Sequence, residues 1–377
     1  MKNRWKGGED MHHKKHKRHY FDYSLLFIII FLLCFGMVML YSTSAYNAQM
    51  KFGDSLYYLK NQLFATAIGA VVMVAFIYWG YRFSKPLSII MYIVSLLMIL
   101  LVLTPLGIES HGARRWVNLG LISFQPAEFA KLSTIILTSA LAAKYARVLH
   151  VRGNIFRLMM IPVIPAGMVA VITSNLSSAI IIAMIGFVIL FIASPNWKFF
   201  FKLAAGAAVA LVLFLMFGSG FRAERFVVWQ NPEQYLSGTG YQIMQGLYAI
   251  GSGGLFGKGL GQSVQKLGFI PEAQNDYIFT IICEELGLFG GIAVILMFLF
   301  MLWRFLIIAN NAPDLYSSLL VIGVMAHIAI QVILNIAVVT NTIPNTGITL
   351  PFISYGGTSV MFLMAEMGLV LSLPLKT

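Results

Sequence analysis

The sequence predicts an all-α, polytopic membrane protein with about ten transmembrane helices and one large extracytoplasmic loop. Its 377 residues are 59% apolar and only 11% charged, and their mean hydropathy is +0.82. Soluble domains are about 45–50% apolar and about 25% charged. The composition therefore excludes a water-soluble enzyme, a disordered chain and a nucleic-acid-binding domain.

Ten continuous apolar runs carry this prediction, because a spanning helix needs about 20 such residues. They lack the alternation of β-barrel strands, and a polar break at 173–175 separates the short fifth and sixth runs. A basic tail, 1–22, is expected to precede one ten-span domain, 23–377. The runs are roughly 23–43, 62–80, 87–106, 127–146, 158–173, 176–193, 199–217, 277–303, 317–341 and 352–373.

The basic residues predict that both termini are cytoplasmic. Seven of the 26 Lys and Arg residues lie in the first 18 positions. With the N-terminus inside, 17 basic residues fall in cytoplasmic segments and 8 in outer segments, as the positive-inside rule requires. The tail is expected to contact anionic membrane lipids, with metal binding by its histidines as a weaker alternative; no nucleic-acid partner is expected.

Most acidic residues lie on the outer side instead, which indicates chemistry at the outer face because carboxylates contribute little to topology. The large outer loop, about 218–276, has apolar residues at helical spacing and is expected to form short helices at the outer leaflet. Its glycine-rich run, 251–261, fails the phosphate-loop pattern at Ser252 and Gly259. A tight turn is favoured, and a backbone nest for a lipid diphosphate stays open.

Two sets of polar residues fall within the apolar runs. Glu128 and Lys131 are three residues apart, so they share a helix face and can pair. His327, Gln331 and Asn335 form one stripe at intervals of four. Interhelical hydrogen bonding is favoured for this stripe over a catalytic histidine.

Asp276, Thr280 and Glu284 are also spaced by four, which predicts one helix face at the outer start of the eighth span. A carboxylate facing cations suits transfer from a diphosphate donor. The carboxylate removes the proton of the acceptor hydroxyl, and cations or a divalent metal stabilise the departing diphosphate. Basic residues predicted on the same side are Arg114, Arg115, Lys131, Arg222, Arg225, Lys258 and Lys266.

Eight stretches of the sequence carry recognisable motifs: 111–116, 124–131, 240–242, 253–261, 263–267, 271–279, 284–287 and 347–359. Together they resemble the SEDS family (shape, elongation, division and sporulation), over nearly the whole chain after the tail. Gly-Ala-Arg-Arg-Trp and Ser-Val-Gln-Lys-Leu favour its FtsW division branch or the sporulation relative over the elongation relative. Two departures are mild, at Asn275 and Tyr277; a third places Asn175 where the family often has an aspartate.

The resemblance implies a peptidoglycan glycosyltransferase that polymerises lipid II into a growing glycan strand at the outer face. It implies a class B penicillin-binding protein as partner transpeptidase, other division proteins and the division septum. The family's essential aspartate falls on Asp276, the expected base. Glu272 and Glu284 would orient Asp276 or help to hold a divalent cation (Mg²⁺ or Mn²⁺), the one cofactor left open. The candidates for diphosphate binding are Arg114, Arg115, Lys131 and Lys258.

Two other functions stay open at this point. A lipid II transporter without bond chemistry would also use many spans and intramembrane polar groups, although such sites lie near the midplane. A division scaffold that only recruits the transpeptidase is the third hypothesis. The choice between division and sporulation is likewise open.

Overall fold

The computed structural model describes residues 21–110, 113–118, 120, 123–206, 221–235 and 238–373. These residues are mostly α-helical, with short 3₁₀ turns at Ala146–Val148 and Pro232–Gln234. The helices are α1 (Tyr23–Phe52), α2 (Tyr57–Leu101), α3 (Pro126–Lys144), α4 (Arg152–Ile172), α5 (Leu176–Ala193), α6 (described over 197–206), α7 (Phe221–Gln230), α8 (Thr239–Ser252), α9 (Ile278–Asn310), α10 (Leu315–Val339) and α11 (Gly357–Leu371).

The described helices confirm a polytopic membrane protein. Seven segments are long and apolar enough to cross a bilayer, and two of them, Tyr57–Tyr81 and Phe83–Leu101, belong to α2. At about 1.5 Å per residue, the 45 residues of α2 exceed twice the thickness of a hydrocarbon core of about 30 Å. α3 has 19 residues, and α11 is a shorter apolar helix. The basic tail and much of the seventh predicted run lie outside the described residues.

A small antiparallel sheet joins α2 to α3, and the sequence analysis did not predict it. Its strands are β1 (Gly107–Ser110), β2 (Ala113–Asn118) and β3 (Ser123–Phe124), in the order β1-β2-β3. Val117 and Phe124 are buried partners across the β2–β3 pair. These strands are too short for alternation to be distinguished from loop sequence.

Glycines allow the central helices to approach closely. Gly323 of α10 lies against Ile135 of α3 and Ile189 of α5, and Gly368 of α11 lies against the backbone of α2 at Met73. Such contacts suit membrane bundles, where van der Waals packing replaces the hydrophobic effect between helices. α10 therefore lies among α3, α5 and α9.

The glycine-rich loop and a kink in α9 form one unit. Gly287 has φ 69° and ψ −167°, which interrupts the helical hydrogen bonds. The N–H groups of Lys258 and Gly259 donate to the Glu284 and Glu285 carbonyls, and Leu288 N–H donates to the Gly254 carbonyl. The loop therefore satisfies the backbone groups that the kink releases. This favours the tight-turn interpretation, because two N–H groups of the alternative nest are already bonded.

Candidate active site

Asp276 lies in a turn that precedes α9, and its side chain is partly exposed. The prediction that it shares a helix face with Thr280 and Glu284 is wrong, because α9 begins at Ile278 after the N-cap residue Tyr277. Because Asp276 lies in this turn, its side chain does not follow the helical spacing of α9.

Hydrogen bonds from two other segments fix the backbone of this turn. Asn335 Nδ2 donates to the carbonyl oxygens of Asp276 (2.8 Å) and Ile348 (2.7 Å). Tyr355 N–H donates to the Gln274 carbonyl at 2.9 Å. A Cβ placed on Gly347 would lie 3.9 Å from Asp276 Oδ2. The carboxylate is therefore positioned beside the loop that connects α10 to α11.

The stripe on α10 makes one contact with another helix, through His327, and its other two residues donate to loop and turn carbonyls. His327 Nδ1 lies 2.9 Å from Glu366 Oε2 of α11, and Gln331 Nε2 donates to the Thr349 carbonyl at 3.1 Å. With Asn335, these residues tie α10 to α11 and to the preceding loop. His327 is buried and contacts Glu366, whereas Asp276 is partly exposed.

Glu128 and Lys131 form the predicted pair, with 2.7 Å between Oε1 and Nζ. Both side chains are buried, the lysine 2% exposed and the glutamate 7%. Ser359 Oγ donates to Glu128 Oε2 at 3.1 Å, and His327 interacts electrostatically with the same glutamate. Lys131 therefore lies inside the bundle rather than on the surface with Arg114.

Glu284 is fully buried and braces the glycine-rich loop. Its Oε1 lies 2.7 Å from Lys258 Nζ and accepts the Val264 N–H at 3.2 Å. Ser263 Oγ donates to Oε2. Lys258 is one-third exposed (33%), so this lysine alone in the pair can also face solvent.

Glu285 is a second buried brace, which the sequence analysis did not single out. It lies 2.7 Å from Lys266 Nζ and accepts from Ser42 Oγ of α1 at 2.8 and 2.7 Å. Lys266 also donates to Ser42 Oγ at 3.0 Å. The sequence signal was present in two adjacent glutamates of an apolar run, which require cations, but the partners lie far away along the chain.

Arg114 and Arg115 lie on β2. Arg114 is exposed, with its Nε 3.9 Å from Glu109 Oε2 of the neighbouring strand. Arg115 is half-buried and donates through Nη2 to the Ser174 carbonyl at 3.3 Å. Burial lowers the pKa of this guanidinium from its ordinary value, but an arginine keeps its charge at neutral pH.

Arg115 contacts the break between α4 and α5. In this break, Asn175 caps α5 by accepting the Ser178 N–H at 3.0 Å. Ser177 Oγ donates to the Thr346 carbonyl at 2.6 Å, and Thr346 precedes Gly347, beside Asp276. The sheet, the break and the α10–α11 loop therefore form a connected border on the Asp276 side of the bundle.

The carboxylates considered for a divalent cation are occupied within the protein. Glu284 is paired with Lys258, and Glu272 Oε2 accepts from Asn275 Nδ2 at 2.8 Å. The described residues hold no group of three or more His, Cys, Asp or Glu side chains that could bind a metal ion. These residues do not fit a metal site formed by protein ligands alone.

Two of the basic residues predicted on the outer side, and two residues of the first motif, are not fully covered by the described structure. The side chains of Arg222 and Arg225 are not described, and neither are His111 and Gly112 of the first motif.

Comparison with known proteins agrees with this fold and these motifs. A family model described as "Cell cycle protein" (FtsW/RodA/SpoVE) matches residues 23–377. The chain is 38% identical over 359 residues to stage V sporulation protein E of Bacillus subtilis, covering 93% of this chain and 96% of the relative. It is 35% identical over 356 residues to a probable peptidoglycan glycosyltransferase FtsW of Trichlorobacter lovleyi, covering 94% and 93%.

Two solved structures share the architecture. One comes from a study of how a peptidoglycan synthase complex coordinates polymerization and crosslinking; it has a TM-score of 0.76 and 25% identity, over 93% of this chain and 96% of that chain. The rod shape determining protein RodA of Thermus thermophilus has a TM-score of 0.67 and 26% identity over the same shares. From its motifs, its helical bundle and these matches, the chain belongs to the FtsW/RodA/SpoVE family.

Proposed function

We propose that this protein is a peptidoglycan glycosyltransferase that polymerises lipid II at the outer face of the cytoplasmic membrane during cell division. The carrying observation is Asp276, a partly exposed carboxylate whose backbone is held by Asn335 and Tyr355. Relatives named as probable peptidoglycan glycosyltransferases support the reaction class. Membership of the family supports the assignment of its essential aspartate to Asp276.

In the proposed reaction, Asp276 is the general base. It accepts the proton of the acceptor sugar hydroxyl while that oxygen attacks the anomeric carbon of the donor disaccharide. The bond from that carbon to the diphosphate oxygen breaks, and the lipid diphosphate leaves with the bonding electrons. One displacement inverts the anomeric centre, and a positioned base contributes about 10²- to 10⁴-fold to such a step.

Four basic residues, two of them on the border, are proposed candidates to bind the diphosphate. Arg114 is exposed and Arg115 extends toward the α4–α5 break; arginine binds phosphate oxygens in bidentate geometry. Lys258 is a further candidate because part of its side chain is exposed. Lys131 is less suited to direct contact, since it is buried against Glu128.

We further propose that a class B penicillin-binding protein is the partner and that the protein is located at the division septum. The similarity to a chain from a peptidoglycan synthase complex supports an assembly of this kind. Both termini are proposed to be cytoplasmic on the distribution of Lys and Arg.

Reconstitution in lipid vesicles tests the function against its alternatives. Purified protein, with and without a cognate class B penicillin-binding protein, is supplied with labelled lipid II. Glycan strands and lipid II transfer between leaflets are measured in the same vesicles. Strand formation supports the polymerase. Transfer without strands would favour the transporter, and binding of the transpeptidase without either activity would favour the scaffold.

A further inference from the structure

Four aromatic rings form a row at the α1–α2 corner. The rings of Phe52 and Tyr57 are stacked, with centroids 3.9 Å apart and an interplanar angle of 16°. Tyr58 meets Tyr57 edge-on at 5.5 Å and Tyr355 edge-on at 5.0 Å. The row therefore extends from the end of α1, across the start of α2, to the loop before α11.

The row ends at the turn that carries Asp276. Tyr355 N–H donates to the carbonyl of Gln274, two residues before the proposed base. Tyr58 interacts electrostatically with Glu272 of the same turn. Gly356 N–H donates to Gln62 Oε1 at 3.2 Å, which joins the Tyr355 segment to α2. The distance from the rings to the turn is thus fixed by hydrogen bonds between three segments.

Two of the four rings are exposed, and the rings order one another by their contacts. Phe52 is 49% exposed and Tyr57 is 37% exposed, although each stacks on the other. Tyr58 and Tyr355 are partly buried. An interfacial aromatic belt also places Tyr at this depth, but belt residues serve the bilayer and have no reason to contact a catalytic turn.

Exposed aromatic faces have a specific complement in carbohydrate. The face of an aromatic ring carries negative charge density, and one face of a hexose presents several C–H groups with partial positive charge. Rigid aromatic side chains also lose little conformational entropy when they bind. A growing glycan strand is a chain of such hexose rings, and it must extend away from the base as each unit is added.

We propose that Phe52, Tyr57, Tyr58 and Tyr355 form a binding subsite for the glycan strand, stacking on sugar rings beyond the one that reacts at Asp276. This inference rests on the proposed function and names where its polymeric substrate lies. The subsite holds the strand between successive additions, so its loss shortens the product.

Binding and product length test the subsite in the full chain. Soluble peptidoglycan oligosaccharides are titrated by calorimetry into wild type, Tyr58→Leu and Tyr58→Phe, and strand length is measured with the partner transpeptidase present. Tyr58→Leu is expected to bind the oligosaccharides about tenfold more weakly, which corresponds to a loss of about 1.4 kcal/mol in binding free energy. It is also expected to release shorter strands. Tyr58→Phe retains the ring and is expected to behave like wild type.

Tyr46→Leu is the matched control, because Tyr46 is an exposed tyrosine (43%) on the last part of α1 outside the row. Wild-type affinity and strand length in a folded Tyr58→Leu variant would overturn the subsite. Equal losses in Tyr46→Leu and Tyr58→Leu would also overturn it and assign the rings to the membrane belt. The calorimetry needs no turnover, so oligosaccharide binding that depends on Tyr58 in a protein unable to polymerise lipid II would reject the proposed function and keep the subsite.

Discussion

Asp276 has two neighbours that help to keep its position. Asn335 donates to its backbone carbonyl, and Gly347 leaves space beside its carboxylate. Asp276 is partly exposed, whereas Glu284 and Glu285 are fully buried and each is bound to a lysine. At the scale of single residues, these carboxylates differ by partner and by exposure.

Asn335 is expected to position the base. Asn335→Ala removes both donors that join the Asp276 and Ile348 carbonyls, and it should lower kcat about tenfold while the KM for lipid II changes little. Steady-state polymerisation kinetics measure both constants. Thr340→Ala, at the exposed end of α10, serves as the control. A rise in KM with unchanged kcat would contradict positioning.

The buried pair of Glu285 and Lys266 is expected to matter more for stability than the pair of Glu284 and Lys258. Lys266→Met leaves a fully buried Glu285 without its cation, which costs about 3–5 kcal/mol. Lys258→Met should cost less, since Lys258 is partly exposed. Thermal unfolding in detergent compares the two.

The double variant Lys266→Met/Glu285→Leu provides the control for this effect. It removes both charges and should recover much of the lost stability. A Tm for Lys266→Met equal to that of Lys258→Met would show that the Glu285 pair is not the stronger brace.

At the scale of elements, the kink of α9 and the glycine-rich loop depend on each other. Gly257 has φ 80°, and a Cβ there would overlap the Glu285 carbonyl. Gly257→Ala is expected to destabilise the protein and disturb the loop that carries Lys258. Gly153→Ala, where a Cβ has open space, should be close to neutral. Unfolding temperatures check both, and equal values would refute the coupling.

Residue spacing within one helical turn predicted part of the site correctly. It could not predict contacts between residues that are distant in sequence. The Glu128–Lys131 pair lies within one helical turn, so its spacing was sufficient. The same argument failed for Asp276 and Glu284, because a turn precedes α9 and its start cannot be read from the apolar pattern. The partner of Glu285 is Lys266 in a loop, and its position depends on the kink at Gly287.

At the scale of the whole molecule, the fold class followed from the composition together with the ten apolar runs, since these allow few other architectures. The short β-sheet was missed because its strands resemble loop sequence. The aromatic row also required tertiary structure, because Phe52 and Tyr355 are distant in sequence. The proposed base lies beside the α10–α11 loop, and the aromatic row reaches the turn that carries this base.

Membrane orientation gives a prediction at this scale. Lys60 is exposed near the start of α2, and Lys85 is exposed beyond Tyr81, at the opposite end of that segment. In intact spheroplasts, a membrane-impermeant maleimide should label Lys60→Cys and should leave Lys85→Cys unlabelled until the cells are lysed. Both variants carry Cys34→Ser to remove the exposed native thiol. The reverse labelling would place Asp276 at the cytoplasm and exclude outer-face synthesis.

The most direct test of the proposed chemistry is polymerisation of purified lipid II by Asp276→Asn, with the partner transpeptidase present. Asparagine preserves the shape of the side chain but cannot accept the hydroxyl proton, so the rate should fall about 10²- to 10⁴-fold. The protein should keep its fold and its partner. Glu233→Gln, an exposed carboxylate of the same outer loop, should retain the wild-type rate. A wild-type rate of strand synthesis in Asp276→Asn would contradict the account.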